Sequence, residues 1–534
     1  MSMLNMNGGA KRRGICKLSL RRLEDSRDSR LHFELMDTQE AVMGNSGPTA
    51  DTSDYEALRR RHILDLLSAI PESIQHLKWP VERIREERQQ RLRSLIRVGK
   101  EKSEWHRERL RNIDADSITE ADLARLPVMK KADLMANFDQ IVTDKRLTLE
   151  KVNAHVSSLR EDRYLLDNYH IIASGGTSGF RGVFVYNWDE WITAAMSAMR
   201  ANLLSVNPLL WRLLSSRPIG KIVIDSKIKK KKVRKPGSKA KIVGVMADIA
   251  SHFTYAMANS LAYPFLDAWF PATLSIPEIV DGLNMAQPDN LSAYSSVLYR
   301  LALEAKAGKL HIAPKRISSS SEPLFPYIRD AVRDVWGLNV ANLWGASEGG
   351  MLACGCGKGE GMHLNEDMHI IEPVDENGRP VPPGVRASKL YLTNLFNHTL
   401  PLIRYEISDQ VRFLDGEPCP CESTFRRVED VQGRLEDVFT YEGGGVAVHP
   451  LVFWSTFQHY PNVVEYQVRQ TEHGVVISLL TNGPVAVEQV ERDVGEYLEK
   501  LGLHKPEVSA RIADNLERTP GAAKLKRFVP LANA

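Results

Sequence analysis

The sequence predicts an α/β protein, with a large domain of mixed sheets and helices followed by a small α+β domain. After Phe253, segments with helical apolar spacing alternate with short apolar strands, a pattern typical of α/β architecture. The 534 residues suffice for two to four domains at roughly 150 residues each, and a hydrophobic fraction of 43% suffices for their cores. The expected units are a flexible extension over residues 1–50, a large domain over 51–435 and a small domain over 436–534.

The elements of the first half follow from the pattern along the chain. Residues 1–50 are polar, rich in arginine and without sustained periodicity, which predicts the flexible extension. Apolar residues recur at helical spacing across residues 55–110, within a densely charged sequence that predicts solvated helix faces. Residues 141–181 change to short β-rich pieces that end in a loop of glycine, serine and threonine. Two strands, 221–225 and 241–246, are predicted on either side of a lysine-rich stretch.

The second half of the chain alternates more regularly. Helices are predicted at residues 292–306 and 324–336, and short strands at 338–343 and 390–393. The small α+β domain is predicted to contain two strands and a helix, at residues 463–470, 475–480 and 485–501.

The charge balance and the hydropathy exclude several classes of protein. Seventy Lys and Arg residues against 67 Asp and Glu residues leave a net charge of +3, so we do not expect a surface that binds nucleic acid. No apolar run approaches the ~18 residues of a membrane helix, and the N-terminal residues lack the apolar centre of a secretory signal. We therefore expect a cytoplasmic protein. The lysine-rich stretch at 227–241 is either a surface loop or a patch for an anionic partner or nuclear import.

The five cysteines do not predict a disulfide framework, because their number is odd and four of them lie in two close pairs. Cys354 and Cys356 form the first pair, and Cys419 and Cys421 form the second. Paired thiols in a chain without an export signal indicate a reducing compartment and metal binding.

A loop of small residues follows the apolar run at 171–173 and reads Ser-Gly-Gly-Thr-Ser-Gly over residues 174–179. Glycines let backbone N–H groups converge on an anion, and hydroxyl groups add further donors. Turns of glycine and serine are common, so this loop alone is a weak indication of a phosphate site. The GxxxxGK and GxGxxG patterns are both absent from it.

Four downstream segments strengthen that interpretation. They read WGASE at 344–348, RYEISD at 404–409, GRLED at 433–437 and TPGAAKLKR at 519–527. In this order the five segments resemble the core motifs of the ANL superfamily of adenylate-forming enzymes, which includes acyl-CoA synthetases, adenylation domains and luciferases. Residues 126–134 and 400–405 resemble the phenylacetate–CoA ligase branch of that superfamily, and the similarity extends from about Leu126 to Arg527.

The resemblance implies a fold and an activity. The fold would be a large N-terminal adenylate-forming domain with a small, mobile C-terminal α+β lid domain. The activity would be that of an acid–thiol ligase, which uses ATP to convert a carboxylic acid to an acyl-adenylate, releases pyrophosphate and transfers the acyl group to CoA. Because two anions must approach each other, such a site needs N–H donors, positive charge and Mg²⁺.

The resemblance also implies roles for individual residues. The nucleotide-binding residues would be Ser174, Gly176, Thr177, Ser178, Gly179, Glu322, Trp344, Gly345, Ala346, Ser347, Asp409 and Arg434. Thr177 and Ser178 would bind the β- and γ-phosphates, and Asp409 would accept hydrogen bonds from the ribose. Glu348 would hold Mg²⁺, a hard cation that prefers carboxylate ligands. The loop departs from the usual pattern at Gly175 and has no lysine after Gly179, a charge that Arg181 would replace.

The resemblance also implies roles for two residues of the small C-terminal domain, Lys524 and Glu436. Together with Glu348 and Arg434, Lys524 would be catalytic, since a lysine on a mobile domain can be delivered to the α-phosphate and withdrawn. Lys526 is the competing lysine, but the family's Lys-x-x-Arg spacing favours Lys524. Glu436 aligns with the hinge residue of the family, where Asp or Lys is usual.

A metal cluster is the last feature that the resemblance implies. Cys356, His363, Cys419 and Cys421 match a Cys…His…Cys-x-Cys cluster that is common in phenylacetate–CoA ligase-like proteins. Three thiolates and one imidazole suit tetrahedral Zn²⁺, and four protein ligands leave no open position, so the expected zinc is structural. Cys354 is the alternative ligand, and reduced thiols without a metal are the alternative state.

Other functions stay open at this point. One alternative is an adenylate-forming enzyme that passes the acyl group to an amine or a carrier protein instead of CoA. Another is a nucleotide-binding protein without catalytic activity. Aromatic and small residues at 252–257 and 293–296 suit either an apolar acyl pocket or core packing, so the sequence does not name the acid. A homodimer is one option for the assembly.

Overall fold

The structure is a computed structural model of the chain. It describes residues 52–159, 163–174, 182–203, 242–246, 250–260, 267–272, 274–321, 324, 326–375, 377–415, 418–429, 431, 439–441, 445–448, 450–457, 459–460, 462–481, 483–514, 516 and 528–531. The predicted N-terminal extension, the predicted strand at 221–225 and the lysine-rich stretch at 227–241 lie outside these ranges.

The helical prediction for residues 55–110 is confirmed by three consecutive helices. The α-helices of the described ranges are α1 (Thr52–His76), α2 (Val81–Lys102), α3 (Glu104–Arg109), α4 (Lys131–Ala136), α5 (Phe138–Ile141), α6 (Leu149–Ser158), α7 (Trp188–Leu203), α8 (Phe253–Ser260), α9 (Ile276–Ala286), α10 (Ser295–Lys306), α11 (Pro326–Trp336), α12 (Pro450–Phe457) and α13 (Val487–Lys500). In α2 the buried residues Leu92, Leu95 and Ile96 form the predicted apolar face.

The β-rich prediction for residues 141–181 is wrong over α6. The hydroxyl of Thr148 accepts a hydrogen bond from the Lys151 N–H group and caps the helix. Val152 and Val156 lie four residues apart on its buried face. A short polar helix with only two buried residues leaves a weak periodic signal, whereas its cap is visible only once the backbone is folded.

The strands are short, and most belong to one large sheet. They are β1 (His170–Ala173), β2 (Val183–Tyr186), β3 (Ile242–Met246), β4 (Ala268–Pro271), β5 (Asn290–Ala293), β6 (Arg316–Ser320), β7 (Val340–Ala346), β8 (Gly350–Cys354), β9 (Met362–Leu364), β10 (His369–Val374), β11 (Lys389–Asn394), β12 (Tyr405–Ile407), β13 (Arg427–Val428), β14 (Phe439–Tyr441), β15 (Val446–Val448), β16 (Val463–Gln470), β17 (Gly474–Thr481), β18 (Glu507–Ile512) and β19 (Phe528–Val529).

The large sheet has eight strands in the order β13-β9-β8-β7-β6-β5-β3-β4. Its β4-β3-β5-β6-β7 half is parallel, with helices in the connections, as the alternation of helix and strand predicts. Its β7-β8-β9-β13 half is antiparallel. The direction of pairing therefore changes at β7, which has a parallel neighbour on one side and an antiparallel neighbour on the other.

Smaller sheets complete the architecture. β10, β11 and β12 form an antiparallel sheet of three strands, and β1 pairs with β2 as a hairpin. Near the C-terminus, β18-β17-β16-β19 form a four-stranded mixed sheet. The predicted strands at 463–470 and 475–480 and the predicted helix at 485–501 are confirmed as β16, β17 and α13.

The apolar side chains form separate cores. One contains residues from Ile63 to Val428, and a second lies among β3 to β7 and their helices. A third contains only residues from Phe439 to Phe528. Within the described ranges, no helix combines the length with the apolar content that a bilayer crossing requires.

A fully buried ion pair joins α7 to the β9–β10 connection. Both terminal nitrogens of Arg200 donate to the carboxylate of Asp367 at 2.6 Å, and the two side chains are 1% and 0% exposed. His76 of α1 lies 2.9 Å from the same carboxylate. Since a buried carboxylate is tolerated only with such partners, this cluster fixes the position of α1 and α7 on the strands.

Buried histidines make the stability of the fold dependent on pH. Burial lowers the pKa of His106 to about 3, and the pKa of His62 and of His369 to about 4. Burial also lowers the pKa of His170 well below its usual value. These groups stay neutral in the folded chain but take up protons in the unfolded chain below pH ~6.5. Burial raises the pKa of Glu190 to about 7 and also raises the pKa of Glu372, so these two carboxyl groups oppose the effect of the histidines.

We therefore expect the free energy of unfolding to fall between pH 7.5 and pH 5. One fully buried histidine such as His106 contributes roughly 2 kcal/mol to that loss. Urea unfolding at both values measures the loss, and a His170→Phe variant should lose less than the wild type. A His473→Gln variant is the control, because His473 is exposed. Equal stability at the two pH values would contradict the expectation.

Candidate functional site

The turn between β7 and β8 carries the second predicted motif. β7 pairs in parallel with β6 and antiparallel with β8, so the chain reverses direction at residues 347–349. Trp344 and Gly345 lie at a register shift near the end of β7, and Ala346 is its last residue. Ser347 and Glu348 then follow in the turn. Ligands of α/β proteins bind beyond the carboxyl ends of parallel strands, and this turn lies at such an end.

A hydrogen bond connects this motif to the third predicted motif. The indole Nε1 of Trp344 donates to Oδ2 of Asp409 at 2.9 Å. Trp344 is buried, and Asp409 is half-buried just after β12. Two of the predicted nucleotide-binding residues, 65 positions apart in the chain, are therefore in direct contact.

The charge of Glu348 acts on two buried tyrosines, Tyr405 of β12 and Tyr186 of β2. Burial raises the pKa of Tyr405 well above its usual value, and the neighbouring charge of Glu348 adds to this rise. The pKa of Tyr186 is raised by the same two causes in the same order. The turn that carries Glu348 therefore lies beside β2, where Tyr186 contacts Ser347, and the charge of Glu348 also acts on Tyr405 of β12.

Ser174 stands at the start of the glycine-rich loop. Its N–H donates to the carbonyl of Gly182 at 2.8 Å, and its hydroxyl accepts from the Gly182 N–H at 3.0 Å. These bonds continue the β1–β2 hairpin and close the two ends of the loop. Nζ of Lys131 lies 3.5 Å from Oγ of Ser174.

Lys131 is a charged residue that the sequence analysis left without a role. It begins α4, directly after a segment that pairs with β12. The N–H of Met129 donates to the carbonyl of Arg404 at 3.0 Å, and the N–H of Glu406 donates to the carbonyl of Met129 at 2.9 Å. The resemblance of residues 126–134 was a signal for this segment, but only the folded chain shows which loop its lysine reaches.

The remaining predicted site residues lie outside the described ranges. They are Gly176, Thr177, Ser178, Gly179, Arg181, Glu322, Arg434, Glu436 and Lys524. The structure thus brings together the predicted residues of β7, its turn and β12, and places Ser174 beside Lys131.

The four predicted metal ligands form a cluster at the other end of β8. One ligand atom from each of Cys356, His363, Cys419 and Cys421 lies within 4.8 Å of the others. Sγ of Cys356 is 3.5 Å from Sγ of Cys419, and Sγ of Cys421 is 3.2 Å from Nε2 of His363. With metal–sulfur bonds of about 2.3 Å and metal–nitrogen bonds of about 2.0 Å, a tetrahedral ion needs ligand separations near these values.

The surroundings of the cluster suit a metal ligand at His363. Its Nδ1 donates to the carbonyl of Phe425 at 3.1 Å, which leaves the lone pair of Nε2 directed at the thiols. A Cβ at Gly359 would lie only 2.7 Å from Sγ of Cys419, so glycine is required there. The hydrogen bond between Cys356 and Cys421 lowers the pKa of Cys356 and raises the pKa of Cys421, so it favours a thiolate at Cys356 only. Cys354, the alternative ligand, instead donates to the carbonyl of Ser197 at 3.3 Å.

The segments considered for an acyl pocket contribute to the cores. Phe253, Ala256 and Met257 belong to the first core, and Ala293 and Tyr294 belong to the second. Core packing is therefore the observed role of these five side chains.

Comparisons with known proteins identify relatives of the chain. No protein-family model matches it. It is 28% identical over 276 residues to a phenylacetate–coenzyme A ligase of Thermus thermophilus, a match that covers 46% of this chain and 61% of that protein. It is 27% identical over 206 residues to a phenylacetate–coenzyme A ligase of Pseudomonas putida, covering 37% and 43%. It is 23% identical over 368 residues to protein CapK of Staphylococcus aureus, covering 67% and 70%.

Among solved structures, the chain is similar to 2-hydroxyisobutyryl-CoA ligase in complex with 2-HIB-AMP and CoA. The TM-score is 0.52 at 18% sequence identity, and the alignment covers 85% of this chain and 91% of that chain. This likeness shows the fold, whereas the matches span less than two thirds of either phenylacetate–coenzyme A ligase. The chain is therefore similar in sequence to the phenylacetate–coenzyme A ligases and shares the fold of 2-hydroxyisobutyryl-CoA ligase.

Proposed function

We propose that this chain is an AMP-forming acid–CoA ligase. It would join a carboxylic acid to the α-phosphate of ATP, release pyrophosphate, and then transfer the acyl group to the thiol of CoA. The contact between Trp344 and Asp409, with Glu348 in the adjoining turn, is the observation that carries the proposal. It gathers an aromatic surface and two carboxylates at the end of a parallel sheet, which are the groups that a nucleotide and its Mg²⁺ require.

Within this proposal each part of the nucleotide has its own residues. The adenine lies against Trp344, Gly345, Ala346 and Ser347, with Glu322 on its other side. The ribose hydroxyl groups donate to Asp409, and Arg434 lies near the ribose and the phosphates. Glu348 would hold Mg²⁺, which would supply positive charge to the phosphates when it is bound. These assignments follow the motifs, and the contacts around β7 and β12 support them.

The phosphates lie at the glycine-rich loop in this proposal. Gly176, Thr177, Ser178 and Gly179 supply N–H and hydroxyl donors, and Ser174 closes the base of the loop. The loop has no lysine of its own after Gly179. The ammonium group of Lys131, 3.5 Å from Ser174, supports a role for it as the missing positive charge.

The C-terminal part supplies the last catalytic group. We assign residues 436–534 to a lid domain, with Glu436 at the hinge. A third core that contains only residues from Phe439 onwards supports this boundary. Lys524 stabilises charge at the α-phosphate as the acyl–phosphate bond forms, and the lid then withdraws it before CoA binds.

Pyrophosphate exchange with a panel of carboxylic acids tests the proposed reaction. The expected result is exchange that depends on one class of acid, together with AMP release that requires CoA. Pyrophosphate exchange without any CoA-dependent AMP release would contradict the proposal that CoA accepts the acyl group. The absence of exchange with every acid would contradict the adenylation step.

Lys524→Ala should lower acid-dependent pyrophosphate exchange about 10²- to 10³-fold, because it removes a charge that acts mainly in the transition state. Lys526→Ala is the matched control, since it removes the same charge two residues away. Loss of exchange in the Lys526 variant with full exchange in the Lys524 variant would reverse the assignment.

Lys131→Met should raise the half-saturating concentration of ATP about tenfold, which is the effect of losing one charge-assisted contact to a phosphate. Lys130→Met is the control, because Lys130 is adjacent and exposed. Steady-state kinetics at varied ATP measure the difference. An equal effect of the two substitutions would show that only the overall positive charge of residues 130–131 matters, and would contradict a specific contact between Lys131 and a phosphate.

We also propose a structural zinc at Cys356, His363, Cys419 and Cys421. The four ligand atoms are already gathered, and the Phe425 carbonyl orients the imidazole, so the donor set fits Zn²⁺. The ion would join the β8–β9 connection to the segment before β13, at the edge of the large sheet. A cluster of thiolates also needs a reducing compartment, which supports the expected cytoplasmic location.

Metal analysis of the purified protein checks the zinc proposal without an activity assay. The wild type should contain about one zinc per chain, and a Cys419→Ser/Cys421→Ser variant should contain almost none. Cys354→Ser is the matched control, because that thiol lies near the cluster but bonds to Ser197. Full zinc content in the double variant would refute these ligands.

A further inference from the structure

The three backbone carbonyls of the turn at residues 347–349 are each held by a side chain from a different strand. Oη of Tyr186 in β2 donates to the carbonyl of Ser347 at 2.6 Å. Nδ2 of Asn394 in β11 donates to the carbonyl of Glu348 at 3.0 Å. Nε2 of His369 in β10 lies 2.7 Å from the carbonyl of Gly349. These three donors are at most 2% exposed.

The identity of each donor is itself determined by its surroundings. Burial raises the pKa of Tyr186 well above its usual value, so the phenol keeps the proton that it donates. Oδ1 of Asn394 accepts from the N–H groups of Phe396 and Asn397 at 3.2 Å, which directs the amide nitrogen at Glu348. Burial lowers the pKa of His369, so its ring is neutral and carries a single N–H. We place this N–H on Nε2, because the contact of Nε2 with the Gly349 carbonyl is the shorter of the two that the ring makes.

The turn itself is rich in glycine and closely packed. Two glycines follow Glu348, and Gly350 has a φ of +71°. A Cβ at Gly349 would lie 2.7 Å from Cδ2 of Leu352 and 3.2 Å from Nε2 of His369, so a larger residue there would displace buried side chains. Glycine restricts its own backbone little, so the bonds from Tyr186, Asn394 and His369 add to this packing in holding the backbone of Glu348.

We propose that Tyr186, Asn394 and His369 are positioning residues that aim the carboxylate of Glu348 at Mg²⁺. This inference rests on the proposed function, in which Glu348 holds that ion. Metal affinity depends on outer groups that orient the ligands, so a looser turn lowers the affinity for Mg²⁺ while the nucleotide contacts remain. Tyr186 also ends the strand that follows the glycine-rich loop, so the same strand connects the loop to the metal ligand.

The test uses the full-length protein and α,β-methylene-ATP, an analogue that is not cleaved by adenylation. Calorimetry at a series of Mg²⁺ concentrations gives the half-saturating Mg²⁺ concentration for analogue binding. Tyr186→Phe should raise this concentration about fivefold, since it removes one hydrogen bond to the turn. The KM for the carboxylic acid should stay unchanged, and saturating Mg²⁺ should restore turnover.

Two further substitutions separate positioning from general stability. Tyr441→Phe is the matched control, because the buried Tyr441 donates to the carbonyl of Gly474 at 2.8 Å within the third core. It should lower the melting temperature without changing the Mg²⁺ dependence. Asn394→Asp keeps the size and the acceptor of Asn394 but removes the donor, so it should raise the Mg²⁺ requirement even where Tyr186→Phe folds poorly.

The positioning role and the proposed function are refuted by different results. Wild-type Mg²⁺ dependence in both Tyr186→Phe and Asn394→Asp would refute the positioning role and leave the proposed function intact. A wild-type protein that does not bind the analogue at any Mg²⁺ concentration would contradict the proposed function, and the positioning role with it.

Discussion

The hydrogen bond from the Trp344 indole to the Asp409 carboxylate is the contact on which the arrangement of the site depends. It joins the end of β7 in the eight-stranded sheet to the residue that follows β12 in the three-stranded sheet. A buried tryptophan needs a partner for its N–H group, and a carboxylate beside an apolar ring needs a donor. The indole N–H of Trp344 and the carboxylate of Asp409 supply these partners to each other, and their hydrogen bond connects the two sheets at the candidate site.

A buried ion-pair cluster in the first core fixes the elements that surround this contact. Arg200 and His76 hold Asp367, and Asp367 lies two residues before His369, which contacts the turn after β7. An uncompensated carboxylate at that depth would be strongly destabilising, so the helices and the β9–β10 connection have little freedom relative to one another. The position of the candidate metal ligand Glu348 is thus connected to the packing of α1 and α7.

The two candidate ion sites lie at opposite ends of the antiparallel half of the large sheet. β8 begins beside Glu348 and ends at Cys354, two residues before the Cys/His cluster. Carboxylate and hydroxyl groups surround one end, whereas thiols and an imidazole occupy the other. This separation by ligand chemistry matches a hard cation at the nucleotide and a softer structural ion at the sheet edge.

The sequence by itself determined the local elements and the types of residue at the site. Helices α1 to α3 and strands β16 and β17 follow from apolar spacing, and the four cluster ligands follow from thiol and imidazole chemistry. Only the tertiary structure decided that Lys131 reaches Ser174 and that three strands hold the turn at Glu348. Spacing reports neighbours within about one turn or one strand, whereas these contacts join positions 20 to 161 residues apart, which only packing of the whole chain brings together.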